Sequence, residues 1–495
     1  MKNLIIITLF AGIFTLTACN DWLDVKPETQ METKELFKKE NGFRDALTAC
    51  YMKLNSATLY GQGMTMTNIE FLAQHWDNTT GNYKDAALLK NFDYKSSYAE
   101  TTFKNIYSAL YNTIAQANIV LEYLKTNGDV IKKEQNRAII EAEALGIRAF
   151  CHLDVLRLFG QLPKNPTKKI SLPYAETVST ENIPYYSYEE FKQLILKDID
   201  QAQALLKDSD PVFKYTFSQL DKDDETDGNL DGAADLDDEF LYYRRFRFNY
   251  YALEALKARL YMYTNQPAEA NKAAKNVIDA KDSKGRKMFT LGGANDFGRK
   301  YYALPSECIL ALSNDNLSTT SKNLFNYNGL FLTKNHYEKD LFAGQSTGVN
   351  NRALNVWNAE ATNSQGTPLP LLRKYDQPSK EDNIKSRMRM VKYQVIPLLR
   401  LSEMYLIAME TSAIGEANSL YADYMAARYV GVTTLTQEEM NQEIIREYRR
   451  EFFAEGQMFF TYKRLGYNKM LWKNDREISE TDYLIPLPNT ELKSN

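Results

Sequence analysis

Apolar residues recur every three or four positions over long stretches of this chain, the spacing of helices that each bury one face. Ile139, Ala142, Leu145, Ala149, Leu153, Leu156 and Phe159 form one such stripe, which Gly160 and Pro163 end. Phe103, Ile106, Leu110, Ile114, Ala117 and Leu121 form the one before it, so 101–124 and 139–159 read as a helical hairpin. Ser187-Tyr188-Glu189-Glu190 matches a capping box, hydroxyl and carboxylate satisfying free amides at the start of a helix that runs to about Leu206. A pair at 249–263 and 267–280 follows, with Pro267 suited to a first helical turn. Another pair is predicted at 398–413 and 416–429. Thr436-Gln437-Glu438-Glu439 then caps a last long helix reaching about Lys463.

The stretches 55–100, 207–247 and 281–396 lack this period and are rich in Asn, Asp, Gly, Ser, Thr and Pro. Long irregular segments in a folded body are where recognition commonly resides. The fold class that follows is mainly α, with tetratricopeptide-like helix pairs packed against a loop-rich, irregular region. Small residues such as Ala268, Ala270, Ala273 and Ala274 suit the close inner faces of stacked pairs. The pairs are unevenly spaced, so a single body over 36–495 is expected rather than a regular array.

The amino terminus has a different pattern. Lys2 precedes an apolar run from Leu4 to Leu16, which is shorter than the ~20 residues of a membrane-spanning helix. A charged start, a short apolar stretch and small residues before a cut point read as a secretory signal over 1–18. Leu16-Thr17-Ala18-Cys19 resembles the bacterial lipoprotein lipobox, which implies that the Cys19 thiol is acylated and becomes the first mature residue. More than one acyl chain, as in palmitate-bearing lipoproteins, anchors stably where one does not, at ~0.8 kcal/mol per buried CH2. Residues 19–35 are polar and contain Pro27, as a tether would.

Composition narrows the picture further. The formal charge of -4, from 60 basic and 64 acidic side chains, comes without a basic stripe and argues against nucleic acid as a partner. After Cys19, three cysteines remain, Cys50, Cys151 and Cys308, an odd number that argues against a disulfide framework. Cys50 and Cys151 lie in helical patterns and read as small buried groups.

Candidate chemistry is sparse. Asp227, Asn229, Asp231, Gly232, Asp235 and Asp238 fall at the donor and turn positions of a calcium loop, which makes a structural calcium the candidate metal, with a solvated acidic loop as the alternative reading. Gly344-Gln345-Ser346-Thr347-Gly348 spells a nucleophile elbow, but Lys339-Asp340 and Asn350-Asn351-Arg352 flank it where a strand and a helix are needed, so it reads as a loop. Three histidines, His75, His152 and His336, show no zinc spacing. No phosphate-binding glycine pattern occurs, and no cofactor is required. A paired-carboxylate hydrolase stays open, because such pairs are set in space rather than in sequence. Sugar capture needs a flat aromatic face beside amides and carboxylates. Trp76, with Asp77 and Asn78, and Trp357, beside Asn355, Asn358 and Glu360, have those neighbours and are the candidate ligand-binding residues, with burial as packing residues the alternative reading of both tryptophans.

Several stretches in order carry a family resemblance. They are Cys19-Asn20-Asp21-Trp22-Leu23-Asp24-Val25-Lys26-Pro27, Glu141 through Phe150 and on to Gly160, Leu371-Leu372-Arg373-Lys374-Tyr375, Pro397 through Leu406, Arg446 through Gly456, and Pro486-Leu487-Pro488-Asn489-Thr490-Glu491. Together they resemble the SusD-like (RagB/SusD) nutrient-binding lipoproteins of the Bacteroidetes outer membrane. The resemblance implies an outer-membrane, lipid-anchored receptor exposed at the cell surface that captures oligosaccharides or other nutrients. It also implies a TonB-dependent β-barrel (SusC-like) transporter as partner, and no enzymatic activity. A lipid-anchored glycan hydrolase and a helical-repeat envelope scaffold are the alternatives. The family's sugar contacts lie in variable loops, so no motif carries them over. Arg446, Arg450, Glu451 and Glu455 are spaced for ion pairs and read as scaffold.

Overall fold

Ser96, Ser187, Asn249 and Thr436 each place a side-chain oxygen on the amide three residues ahead, and each opens a helix. The structure, a computed structural model, describes residues 33–78, 81–178, 183–223, 229, 231–377, 392–473 and 475–489. Its principal helices are α1 (Glu40–Leu54), α2 (Ser97–Asn127), α3 (Glu134–Phe159), α4 (Tyr188–Leu206), α5 (Tyr250–Tyr263), α6 (Pro267–Ile278), α7 (Leu401–Thr411), α8 (Ile414–Ala427), α9 (Gln437–Glu451) and α10 (Met458–Leu465). Successive helices from α1 to α8 pack on one another, and α7 also packs on α9. The expected helix pairs are present, in a mainly helical body.

α3 sits at the centre of this stack and differs from the one-faced stripe its periodicity suggested. From Ala142 to Phe159 every side is buried, including Glu143, Arg148, Asp154 and Arg157. Buried charges persist only when paired. Arg148 holds Asp198 of α4 through two bonds of 2.7 and 2.6 Å, and Arg259 of α5 holds Glu403 of α7 at 2.7 and 2.6 Å. These forks fasten one helix of the stack to another.

Two expectations need correction. Residues 398–400 were expected to begin a helix but belong to β2 (Val395–Arg400), which pairs antiparallel with β1 (Cys308–Ser313). β2 is buried throughout, and a short run of that kind looks the same in a helix or a strand until its partner is known. The last long helix ends at Glu451, and α10 starts only at Met458. Ala454 and Gly456 between them have φ of 63° and 70°. A Cβ on Gly456 would lie 1.8 Å from the Met64 carbonyl oxygen, so a continuous helix cannot pass here.

Cys50, Cys151 and Cys308 are free, buried thiols, as expected for Cys50 and Cys151. Burial pushes the Cys50 thiol up to about 12. No helix among the described residues is long and apolar enough to cross a membrane. Cys19 lies outside the described residues.

Candidate functional site

The two tryptophans singled out from sequence are packing residues. Trp76 is fully buried; its Nε1 donates to the Met66 carbonyl at 2.9 Å. Trp357 is 2% exposed. Phe453 lies edge-on to both indoles, with ring centroids 4.9 Å and 5.0 Å away, so one aromatic cluster consumes their faces. Neither ring is open to a sugar. The sequence context was polar, but the alternation of inward and outward residues in a loop is set by tertiary packing.

Asp77 and Asn78 are placed differently. The Asn78 amide donates to the Gly329 carbonyl, and the Asp77 amide donates to Phe331. One Asp77 carboxylate oxygen accepts from the Thr333 amide at 2.6 Å, and the other accepts from His336 Nδ1 at 2.6 Å. The loop at 76–78 therefore clasps the segment 329–336. His336 opens a single π-helical turn, His336–Leu341, in which His336 and Asp340 are four residues apart. Turns of this kind are frequent at functional sites.

Both residues converge on Trp472. The His336 ring stacks on the indole at 4.6 Å and 20°, and Trp472 Nε1 donates to Asp340 Oδ2 at 2.8 Å. Trp472 has φ 68°, a left-handed conformation that an L-residue holds only when its surroundings over-determine it. Here the stack and the Asp340 bond provide that hold. The His336 side chain is 27% exposed and Trp472 is half-buried, so the pair reaches solvent. Lys90, from the 3-10 turn Leu88–Asn91 ahead of α2, donates to the Trp76 carbonyl at 2.8 Å. Burial lowers its pKa, and the nearby Asp77 charge counters part of that. Sequence reading reached this neighbourhood through Asp77 and missed Trp472, His336 and Asp340. Trp472 stands in no apolar stripe, and its partners lie more than 130 positions away.

The half-buried pair borders two carboxylates, Asp77 and Asp340, so apolar and acceptor surface of the kind a sugar meets lie side by side here. Both oxygens of Asp77 are already bonded within the protein.

The calcium-loop residues do not converge. Asn229 is buried and its amide spans the Asp223 and Gly232 carbonyls, both at 2.8 Å. Asp231 is paired with Lys284 at 2.6 Å and with Arg286. Asp235 is exposed. Asp238 takes both Arg44 nitrogens, at 3.0 and 2.6 Å, and the Asn136 amide at 2.9 Å. Although burial would raise it, these partners hold the Asp238 carboxyl down at about 2. Asp227 lies outside the described residues, and among those described no three metal-binding side chains group together. Among the described members of the expected ligand set, Asp231 and Asp238 thus turn to separate basic partners and Asn229 to backbone carbonyls, rather than to one common point.

The acidic and basic residues near the end of the chain are structural, as expected, and their arrangement is larger than a helix-surface ladder. Arg352, Lys374, Arg400, Arg428 and Arg450 meet Glu307, Glu443, Glu447, Glu451 and Glu455. Glu451 alone touches Arg400 at 2.8 Å, Arg428 at 3.1 Å, Arg352 at 3.2 Å and the Tyr424 hydroxyl at 3.0 Å. Burial opposes ionisation of Glu451, but Arg428, Arg400 and Arg352 hold its pKa well below the usual carboxylate range. The cluster joins α8, α9, β2 and the loop before β1. Arg446 lies at the exposed rim of the cluster, paired with Glu443. Glu70 extends the same region: its carboxylate accepts from the Ala454 and Gly456 amides at 3.0 and 2.8 Å and from His75 at 2.5 Å.

Comparison with known proteins agrees with this architecture. Residues 21–220 match a family model described as starch-binding associating with outer membrane, and residues 322–495 match the model of the SusD family. Two proteins of Formosa agariphila are similar: SusD-like protein P25, 26% identical over 171 residues, and SusD-like protein P38, 25% identical over 282 residues. The first match covers 33% of this chain and 31% of the relative; the second covers 56% and 46%. The chain thus spans less than half the length of each relative. A SusD superfamily protein from Bacteroides thetaiotaomicron has the same fold, with TM-score 0.67 and 18% identity over 92% of this chain and 98% of its own. So does a laminarin binding SusD-like protein, with TM-score 0.61 and 17% identity over 92% and 98%.

Proposed function

We propose, on the premise that this chain belongs to the SusD family, that it is a lipid-anchored receptor at the cell surface. It captures oligosaccharides there and passes them to a TonB-dependent β-barrel transporter without cleaving them. The observation that carries the reading is the half-buried Trp472–His336 stack with Asp77 and Asp340 at its edges. The laminarin-binding relative of the same fold supports the ligand class, and the starch-binding description of the family model supports the setting. The lipobox-like Leu16-Thr17-Ala18-Cys19 supports attachment through Cys19, followed by a polar tether that holds the body off the membrane. Capture rather than hydrolysis is the reading supported by Asp77, whose two oxygens already accept from the Thr333 amide and His336.

The test is calorimetric titration of wild type and Trp472→Ala with laminarin- and starch-derived oligosaccharides. Loss of a stacking plane worth ~1.4 kcal/mol weakens binding about tenfold. The ligand is expected intact after prolonged incubation. Equal affinity in a folded Trp472→Ala protein would remove this pair from the binding site, and shortened products would replace capture with hydrolysis.

A further inference from the structure

Trp472 occupies a backbone place ordinarily given to glycine. The Lys473 amide donates to the Met470 carbonyl at 3.2 Å and closes a four-residue turn, Met470-Leu471-Trp472-Lys473. Trp472, third in that turn, has positive φ, whereas Leu471 does not. That is the sign pattern of a type II turn, whose third position disfavours any residue with a Cβ. The ends of the turn are fixed, Met470 by burial and Lys473 by its ion pair with Asp475 at 3.0 Å. The directional contacts of the ring come from elsewhere, the π-helical turn that supplies the His336 stack and the Asp340 acceptor. That turn is itself anchored: the Tyr337 hydroxyl donates to the Ala353 carbonyl at 3.1 Å, and Arg450 donates to the Leu341 carbonyl at 2.6 Å. Asp77 holds the His336 ring from behind, accepting from Nδ1 at 2.6 Å. A strained residue is thus pinned by two side chains that are pinned in their turn.

We propose that Asp340 and His336 are positioning residues for glycan binding: they lock the Trp472 ring in one pose before a sugar arrives, so that affinity depends on them through the ring. This rests on the reading of the chain as a glycan receptor with Trp472 in its site. Without the two contacts, the backbone at Trp472 has reason to leave its left-handed conformation and carry the ring away. Each ligand would then have to order the ring again, and that ordering is subtracted from affinity. A ring already locked by a hydrogen bond and a stack loses little more freedom on binding.

The experiment compares Asp340→Leu, which keeps the size and loses the acceptor, with Asp340→Asn, whose amide oxygen still accepts from the indole N–H. Both are made in the purified chain carrying Trp22→Phe. Trp76 and Trp357 are enclosed, so quenching of fluorescence by acrylamide, a neutral quencher, then reports on Trp472. Laminarin- and starch-derived oligosaccharides are titrated against each folded variant. Asp340→Leu should open Trp472 to the quencher and weaken binding about tenfold, the upper end of what ordering one side chain costs. Asp340→Asn should match the parent in both readouts. His336→Ala, which removes the stack instead, should follow Asp340→Leu and gives an independent test. Unchanged quenching in both Asp340→Leu and His336→Ala would show that neither contact holds the ring, and increased quenching at unchanged affinity would show that the pose does not matter; either result overturns the inference. Binding as weak in Asp340→Asn as in Asp340→Leu, with quenching like the parent's, would mean that the carboxylate meets the sugar itself and would overturn it too. In these cases the receptor reading stands. A parent that binds none of the oligosaccharides would overturn the receptor reading and this inference with it.

Discussion

Glu451→Gln is the sharpest test of how the scaffold is held. The substitution keeps the side chain's shape and one acceptor but removes a charge from the buried cluster, leaving Arg352, Lys374, Arg400, Arg428 and Arg450 facing four carboxylates instead of five. Arg400, Arg428 and Arg352 all lose an anionic contact, and none can reach water, since they are at most 3% exposed. Breaking a buried pair in this way costs about 3–5 kcal/mol, far more than a surface pair. At about 2.1 cal/mol/K per residue, a body of roughly 450 residues has a melting entropy near ~1 kcal/mol/K, so Tm should fall by about 3–5 °C. Differential scanning calorimetry reads this, with the exposed Arg446→Gln as a control expected to shift Tm by under about 1 °C. A second readout is pH. The folded pKa of Glu451 lies below its unfolded value of about 4.3, so its stabilisation is complete above that pH and is lost as pH falls through the folded value. Glu451→Gln should therefore flatten the acid limb of the Tm–pH curve. An unchanged Tm together with an unchanged acid limb would refute the view of the cluster as a balanced set of buried charges.

Three further outcomes follow from the same structure. His152 is buried, donates through Nδ1 to the Arg148 carbonyl at 3.0 Å and accepts at Nε2 from the Ala175 amide at 3.1 Å, so protonation would set two N–H groups against each other. Burial, with the Arg148 charge, keeps its pKa well below the ordinary value. Its contribution is thus complete above about pH 6.5 and falls by up to ~1.4 kcal/mol per unit below it; His152→Gln should remove that part of the slope, and a slope identical to wild type would refute it. A chelator should leave Tm unchanged, because Asp231 and Asp238 are neutralised by Lys284, Arg286 and Arg44; a drop of several degrees, restored by calcium, would show a site formed with residues beyond those described. Metabolic labelling with a fatty-acid probe should mark the wild type and not Cys19→Ser, and an unmarked wild type would end the lipid-anchor proposal.

Most helices were legible because a helix is a local object. Caps at Ser187 and Thr436 and the 3.6-residue period act within a few positions, and α4 and α9 begin where those signals put them. What was misread depended on partners remote in sequence. Residues 398–400 form a strand because β1, some ninety positions earlier, is there to pair with them. The last helix breaks because Glu70, nearly four hundred positions away, takes the amides of Ala454 and Gly456. Trp76 and Trp357 turned inward because Phe453 lies between them.

By itself, the sequence determined the helical class, the order of the pairs and the family, all carried by local spacing or ordered motifs. Only the tertiary structure decided which aromatic rings are buried and which carboxylates are spent on arginines and lysines. Burial and pairing are properties of the whole packed chain: a side chain's neighbours in space, not in sequence, set its solvation and therefore its chemistry.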